Sequence, residues 1–276
     1  MKKYNIQPLL FIFLGYFSMS VSAIPTELDC LIQPGMYVDL SSPIDTTVKE
    51  ILVKPGDNVT KGQILVQLES SVESVRVMLA KMQANSTTEI NDRKTQLKYI
   101  RLNNQRINNL YAKKSVSEFE RDKSATELAL AKLELEKARE NAQIAKVNLE
   151  LAQALLALKT LKSPIDGIVV DLYTQAGESV VDRPIMKLAQ INPLKVELIA
   201  STEYFGLIDQ GMAVKIQPEL PKNKHFEATV TVVDQLIDPA SGTFTVRMAL
   251  PNPKDILVAG VNCLAILDFD LAAPSG

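Results

Sequence analysis

Hydrophobic and polar positions follow three rhythms along this 276-residue chain. From Met36 to Leu68 apolar residues alternate with polar ones, and the runs Thr47 to Val53 and Gln63 to Leu68 read as short strands of a small sandwich. Lys54-Pro55-Gly56-Asp57 supplies the turn before the second run, with Pro and Gly where a type II geometry asks for them, and Lys61-Gly62 gives the next corner. At Ser70 the period changes, and no Pro or Gly returns until Pro164, a gap that predicts long helix. Beyond Asn192-Pro193 the pattern is again strand-like. Leu194 to Ala200, Ala213 to Gln217, Phe226 to Val233, Thr243 to Ala249 and Cys263 to Phe269 predict a small antiparallel barrel, and Thr202 to Gln210 one short helix within it.

The helical stretch predicts a hairpin of two arms. In the second arm Leu128, Leu135, Ala142, Leu149 and Leu156 recur every seven residues, and Ala131, Ala138, Ala145 and Ala152 recur three residues later, a heptad seam that permits close approach. The first arm, about Val72 to Ala112, offers Val75, Leu79 and Met82 near its base and Ile100, Ile107 and Leu110 near its tip. Its middle is polar on the same registers, at Ser86, Glu89, Arg93 and Gln96, so the hairpin is expected to be looser there or to meet another copy. The arms join near Lys113-Lys114-Ser115-Val116, and Ser117 with Glu120 forms a capping box for the second helix. At about 1.5 Å per residue such a hairpin projects on the order of 60 Å.

The strand segments on either side of the hairpin are copies of one another. Ser42-Pro43-Ile44-Asp45 returns as Ser163-Pro164-Ile165-Asp166, and at the same offset Val48, Gly56, Val59 and Ile64 match Val169, Gly177, Val180 and Ile185. A half-sheet cannot bury its apolar face alone, so the two copies are expected to close on each other with the hairpin leaving and returning at one place.

Composition narrows the function more by exclusion than by motif. The formal charge of −2 gives no bulk attraction to nucleic acid, and the absence of Trp with 5% aromatics argues against one broad core or a large catalytic pocket. Lys2 and Lys3, an apolar run from Leu9 to Phe17 and Val21-Ser22-Ala23 read as an export signal cleaved after residue 23, with a retained anchor as the alternative. Cleavage leaves a net charge of −4. Cys30 and Cys263, near opposite ends of the mature chain, are compatible with one disulfide in an oxidising compartment or with two buried thiols. His225, the one histidine, lies in a polar loop, the cysteines lack metal spacing, and Asp45 and Asp166 suit turns, so neither catalysis nor a cofactor is expected.

The split motif, the intervening hairpin and the following barrel resemble the periplasmic adaptor family, also called membrane fusion proteins, of tripartite efflux and type I secretion systems. Gly211-Met212, Phe226 to Val230, Asp238-Pro239 with Gly242-Thr243, and Asn252-Pro253 before Leu257 and Gly260 fall where that family's barrel pattern places them. The resemblance implies a mixed α+β, elongated fold: a split lipoyl/biotinyl-like β-sandwich, a long antiparallel coiled-coil hairpin and a small antiparallel β-barrel. The expected limits are a signal peptide at 1–23, a barrel strand within 24–36, lipoyl-like halves at 37–69 and 163–190, the hairpin at 70–162, the barrel at 191–270 and a tail at 271–276. Gly56 and Gly177 are the lipoyl-like turn glycines. A biotin or lipoyl lysine would need a tight turn where the hairpin stands, so carrier chemistry is not implied.

The same resemblance implies the partners. Arg106, Leu110 and Ser117 have the Arg-x₃-Leu-x₆-Ser spacing with which many members dock onto an outer-membrane channel. An inner-membrane transporter, of the resistance-nodulation-division type in preference to an ATP-binding-cassette or type I exporter, and self-association into a hexameric ring are also implied. Larger members continue into a membrane-proximal domain, whereas the last strand here ends near Phe269, as in a short form of the family. The expected location is the periplasm, at the inner membrane.

Overall fold

The computed structural model describes residues 26–267, so the expected signal at 1–23 and the tail at 271–276 lie outside the described residues. The chain forms two units, Met1–Gly35 with Asn192–Gly276, and Met36–Ile191. The first unit opens with β1 (Thr26–Gln33). The second holds β2 (Tyr37–Ser41), β3 (Thr46–Ile51), β4 (Asn58–Val59) and β5 (Ile64–Leu68), then α1 (Ser71–Asn85), α2 (Thr88–Ala112) and α3 (Glu118–Ala157), then β6 (Thr160–Lys162), β7 (Gly167–Leu172), β8 (Ser179–Val180) and β9 (Pro184–Ala189). The first unit resumes with β10 (Leu194–Ser201), β11 (Ala213–Pro218), β12 (Phe226–Val233), β13 (Thr243–Leu250) and β14 (Val261–Leu267).

The two copies of the strand motif clasp each other. One sheet runs β2-β9-β7-β4 and the other β6-β5-β3-β8, so each copy lends a two-residue strand to the other's sheet. The exchange is reciprocal at the level of single bonds. Gly56 N–H donates to Val169 O and Gly177 N–H to Val48 O, both at 2.8 Å, while Val169 N–H reaches Asp57 O (3.0 Å) and Val48 N–H reaches Glu178 O (2.9 Å). Gly56 and Gly177 both sit at φ 90°, the left-handed region that side chains avoid. Ser42 and Ser163 each fold their hydroxyl onto the backbone of the residue two ahead, Ile44 or Ile165. The core joins Val48, Val59, Leu65 and Leu68 of one copy to Val169, Val180, Ile185 and Leu188 of the other. The repeat breaks at one position: Ile185 is fully buried, but Ile64 is exposed, and its neighbour Leu65 fills the core instead.

The hairpin differs from the sequence reading in three ways. It ends sooner, because residues 160–162 form β6 and pair with β5 instead of extending the helix. The first arm is broken: α1 stops at Asn85, Ser86 is extended (φ −72°, ψ 123°), and α2 restarts from Thr87. The face packed on α3 is also different. On α1 it is Glu73, Val77, Ala80 and Ala84, while Val75, Leu79 and Met82 point out. On α2 it is Ile90, Arg93, Leu97, Ile100, Asn104, Ile107 and Tyr111, all buried or half-buried. The break explains the change. Carried on as one helix, the seam of α1 would bring Asn91, Lys94 and Lys98 inward, whereas a step of six residues from Ala84 to Ile90 in place of seven admits Ile90, Leu97 and Ile100. The α3 seam follows the predicted heptads, with Ala131, Leu135 and Ala138 buried and Leu128, Ala142, Ala145, Leu149, Ala152 and Leu156 half-buried.

The first unit is a closed barrel in the order β1-β10-β13-β12-β11-β14. Side chains alternate inward and outward, as on β13, where Phe244, Val246, Met248 and Leu250 point inward, and a bulge between Val230 and Val232 interrupts the pattern on β12. The segment after β10 is not the expected helix over Thr202 to Gln210 but a single 3₁₀ turn, Thr202–Tyr204, which sets Phe205 edge-on against Phe244 at 5.2 Å between centroids. Cys30 on β1 lies directly opposite Cys263 on β14, and the two sulfurs are bonded.

Candidate functional site

The free end of the hairpin is built by two matched caps. At the end of α2, Ser115 N–H donates to Leu110 O (2.9 Å) and Lys114 N–H to Tyr111 O (2.8 Å), a Schellman motif with Lys114 in the left-handed conformation at φ 60°. At the start of α3 the capping box forms as the sequence predicts: Glu120 N–H donates to Ser117 Oγ (3.2 Å) and Ser117 N–H to Glu120 Oε2 (3.1 Å). Between them the turn is fixed at both ends, which orients whatever it presents.

Arg106 and Leu110 are exposed one helical turn apart on α2, and Ser117 is exposed just past the turn. The fold therefore brings all three to the same end of the hairpin. Leu110 is 41% exposed and does not close the apical seam, because Tyr111 takes that place. The Ser117 hydroxyl serves the cap and still lies at the surface.

Beneath the tip the structure shows polar groups that the sequence reading passed over. Asn104 Nδ2 donates to Ser124 Oγ (3.0 Å), both side chains being buried, and Asn108 Nδ2 donates to Asn104 Oδ1 (3.0 Å). The clue was present, since Ser124 stands seven residues before Ala131 and Asn104 falls between Ile100 and Ile107 on the seam. The Arg121 guanidinium lies over the Tyr111 ring at 4.6 Å and pairs with Asp122 (2.7 Å) and Glu118 (2.9 Å). The hydrogen bonds it donates to Asp122 raise its pKa, so the tip keeps a fixed cation.

Lower down, both outer edges of the hairpin carry a second apolar row. Val72, Val75, Leu79 and Met82 on α1 are 56–69% exposed, and Ile144, Val147 and Leu151 on α3, with Leu158 at its C-cap, are 40–58% exposed. In each helix these occupy heptad positions half a turn away from the inner seam. A helix with two opposed apolar rows can pack on two neighbours, and the hairpin itself supplies one. At the foot, Lys159 Nζ joins α1 to the sandwich, pairing with Glu73 Oε1 (3.4 Å) and donating to Thr46 Oγ1 (3.2 Å). Among the described residues no helix is long and apolar enough to cross a membrane.

Comparison with known proteins matches this architecture part for part. The model of the YknX barrel-sandwich hybrid domain fits residues 40–189, more than half of the chain, and that of the CusB-like β-barrel domain fits residues 196–268. The chain belongs to the membrane fusion protein family. The multidrug resistance protein MdtE of Escherichia coli K12 is 25% identical over 153 residues, half of this chain and 40% of that protein. The pyoverdine export membrane fusion protein PvdR of Pseudomonas putida is 23% identical over 267 residues, 87% of this chain and 67% of that one. The crystal structure of MacA from Actinobacillus actinomycetemcomitans has the same fold, with a TM-score of 0.73 at 22% identity over 89% of this chain and 79% of that one. The chain spans about half the length of the first curated relatives it matches. Membrane fusion proteins are periplasmic, inner-membrane-associated adaptors of efflux systems and as a family are generally not catalysts.

Proposed function

We propose that this protein is the periplasmic adaptor subunit of a tripartite export assembly, bridging an inner-membrane transporter and an outer-membrane channel. The observation that carries the reading is the clasp of the two half-sandwiches, from whose junction a hairpin with a 40-residue second arm projects, about 60 Å long. Arg106, Leu110 and Ser117 at its free end meet the channel: the guanidinium fork suits backbone carbonyls or carboxylates at a helix end, and Leu110 adds an apolar contact. Copies stand side by side, the outer row of α1 in one against the outer row of α3 in the next, in a ring we take to be hexameric. The chain itself performs no chemistry and uses no cofactor; transport energy comes from the transporter. The signal at 1–23 directs export and is then cleaved.

The similarity to the multidrug resistance protein MdtE, the pyoverdine export protein PvdR and the macrolide export protein MacA of Yersinia pestis supports small molecules as cargo. We favour a resistance-nodulation-division transporter, with an ATP-binding-cassette or type I exporter as the alternative; dye efflux that collapses with the proton gradient while ATP is held constant separates them. The central test is accumulation of ethidium in cells lacking this gene. Accumulation should rise on deletion, fall again with the wild-type gene, and stay high with Arg106→Asp although that variant folds and assembles normally. Accumulation indifferent to the deletion would remove the adaptor reading, and full rescue by Arg106→Asp would remove that residue from the channel contact.

A further inference from the structure

β1 is the strand that closes the barrel, since without it β10 and β14 would be two open edges. It is also the strand most remote in sequence, because the whole of residues 36–191 intervenes before β10. Its one covalent tie is the bond from Cys30 to Cys263 on β14, across 233 residues and with the Cα atoms 4.8 Å apart. Both cysteines face the barrel interior, 6% and 4% exposed. Disulfide exchange requires an incoming sulfur to reach the sulfur it attacks, so a protein oxidant has no route to either thiol once β1 is docked. Oxidation must then come first, or accompany docking.

We propose that Cys30 and Cys263 are the substrate site of a dithiol oxidant outside the cytosol, and that the bond is made while β1 is still undocked and then holds the barrel shut. Cys30 emerges first and waits. Its thiolate attacks the oxidant's disulfide, forming a mixed disulfide and releasing one oxidant thiol. Cys263, arriving with the last strand, attacks the Cys30 sulfur of that mixed disulfide and expels the second oxidant thiol. The two cysteine thiols lose two protons and two electrons, and the oxidant's disulfide gains them. The inference depends on export from the cytosol but not on the adaptor reading, and either can fail alone.

The first test expresses the full chain with its own leader in a host with, and in one without, its periplasmic dithiol oxidase. Samples are quenched in acid and free thiols tagged with a maleimide-linked polymer. The expected result is no tag in the first host and two tags per chain in the second; two tags in the oxidising host, or a bond formed equally fast in both, would overturn the proposal. The second test compares amide hydrogen exchange in the purified wild type and in Cys30→Ser/Cys263→Ser. Exchange along β1 should quicken by about tenfold or more while α3 and β9 are unchanged; equal protection of β1 in both proteins would show that the bond does not hold the barrel. If the double variant is not recovered, the wild type is exposed to dithiothreitol with and without urea. The bond should resist reduction until urea undocks β1, and ready reduction of the native protein would refute the order of events.

Discussion

Two single residues expose how tightly the backbone is drawn at the clasp and at the tip. A Cβ on Gly167 would stand 2.1 Å from the carbonyl oxygen of Ala189, so backbone occupies the space a methyl needs. Gly167→Ala should therefore cost about 1–3 kcal/mol as β7 is forced from β9, read as a lower urea midpoint of the sandwich unit. The copy at the same offset is Thr46, which keeps a side chain and uses it to accept from Lys159. Lys114 presents the opposite case. A lysine held at φ 60° carries a cost that glycine avoids, so Lys114→Gly should stabilise the hairpin by about 1 kcal/mol, seen as a higher midpoint in thermal unfolding followed by helical circular dichroism.

The hairpin shows where sequence reading succeeds and where it stops. The second arm was legible because leucine and alanine hold their heptads from Leu128 to Leu156 without a slip. The first arm was not, because its base places its larger apolar residues on the outside: Val72, Val75, Leu79 and Met82 outweigh the Val77, Ala80 and Ala84 that face α3. Hydrophobicity alone picks the wrong face, and an uninterrupted register hides the step at Ser86 and Thr87. The tip shows the same division, since the capping box of Ser117 and Glu120 was legible while the sequence reading passed over the buried Asn104 and Ser124. The step itself can be tested. Inserting one alanine between Ser86 and Thr87, with both changed to alanine, restores seven-residue spacing from Ala84 to the seam of α2 and should join α1 and α2 into one helix, measured as slower amide exchange across the junction. The two alanine substitutions without the insertion should leave the break in place, because joining would bring Lys94 and Lys98 inward.

At the foot of the same element, the pKa of Glu73 is lowered by its own backbone N–H and then by Lys159. A carboxyl depressed in the folded state adds stability above its ordinary value of 4.5 and loses it as pH falls through the folded value. Acid should thus loosen α1 from the sandwich below about pH 4.5, and Glu73→Gln should lose that pH dependence, followed by exchange of the α1 amides at matched intrinsic rates.

For the whole molecule, the ring proposed above would have its copies meet through the two outer rows. A contact of α1 with α3 of the next copy would join unlike surfaces, which propagates and can close into a ring, whereas α1 against α1 would stop at a pair. Met82 is the most exposed residue of its row at 69%, Val147 on the other row is 53% exposed, and the two stand at similar height, since neighbouring Gln83 and Asn148 line one groove. Met82→Lys alone or Val147→Glu alone would place one charge in an apolar seam and should weaken self-association by about tenfold or more. Joined in one chain, the two should restore it, because each new lysine then faces a new glutamate across every boundary. Like-to-like contacts would instead set lysine against lysine, and the double variant would associate less than either single one. Sedimentation velocity on the three variants reads the difference directly, and a double variant no better than the singles would rule out the unlike pairing on which the proposed ring is built.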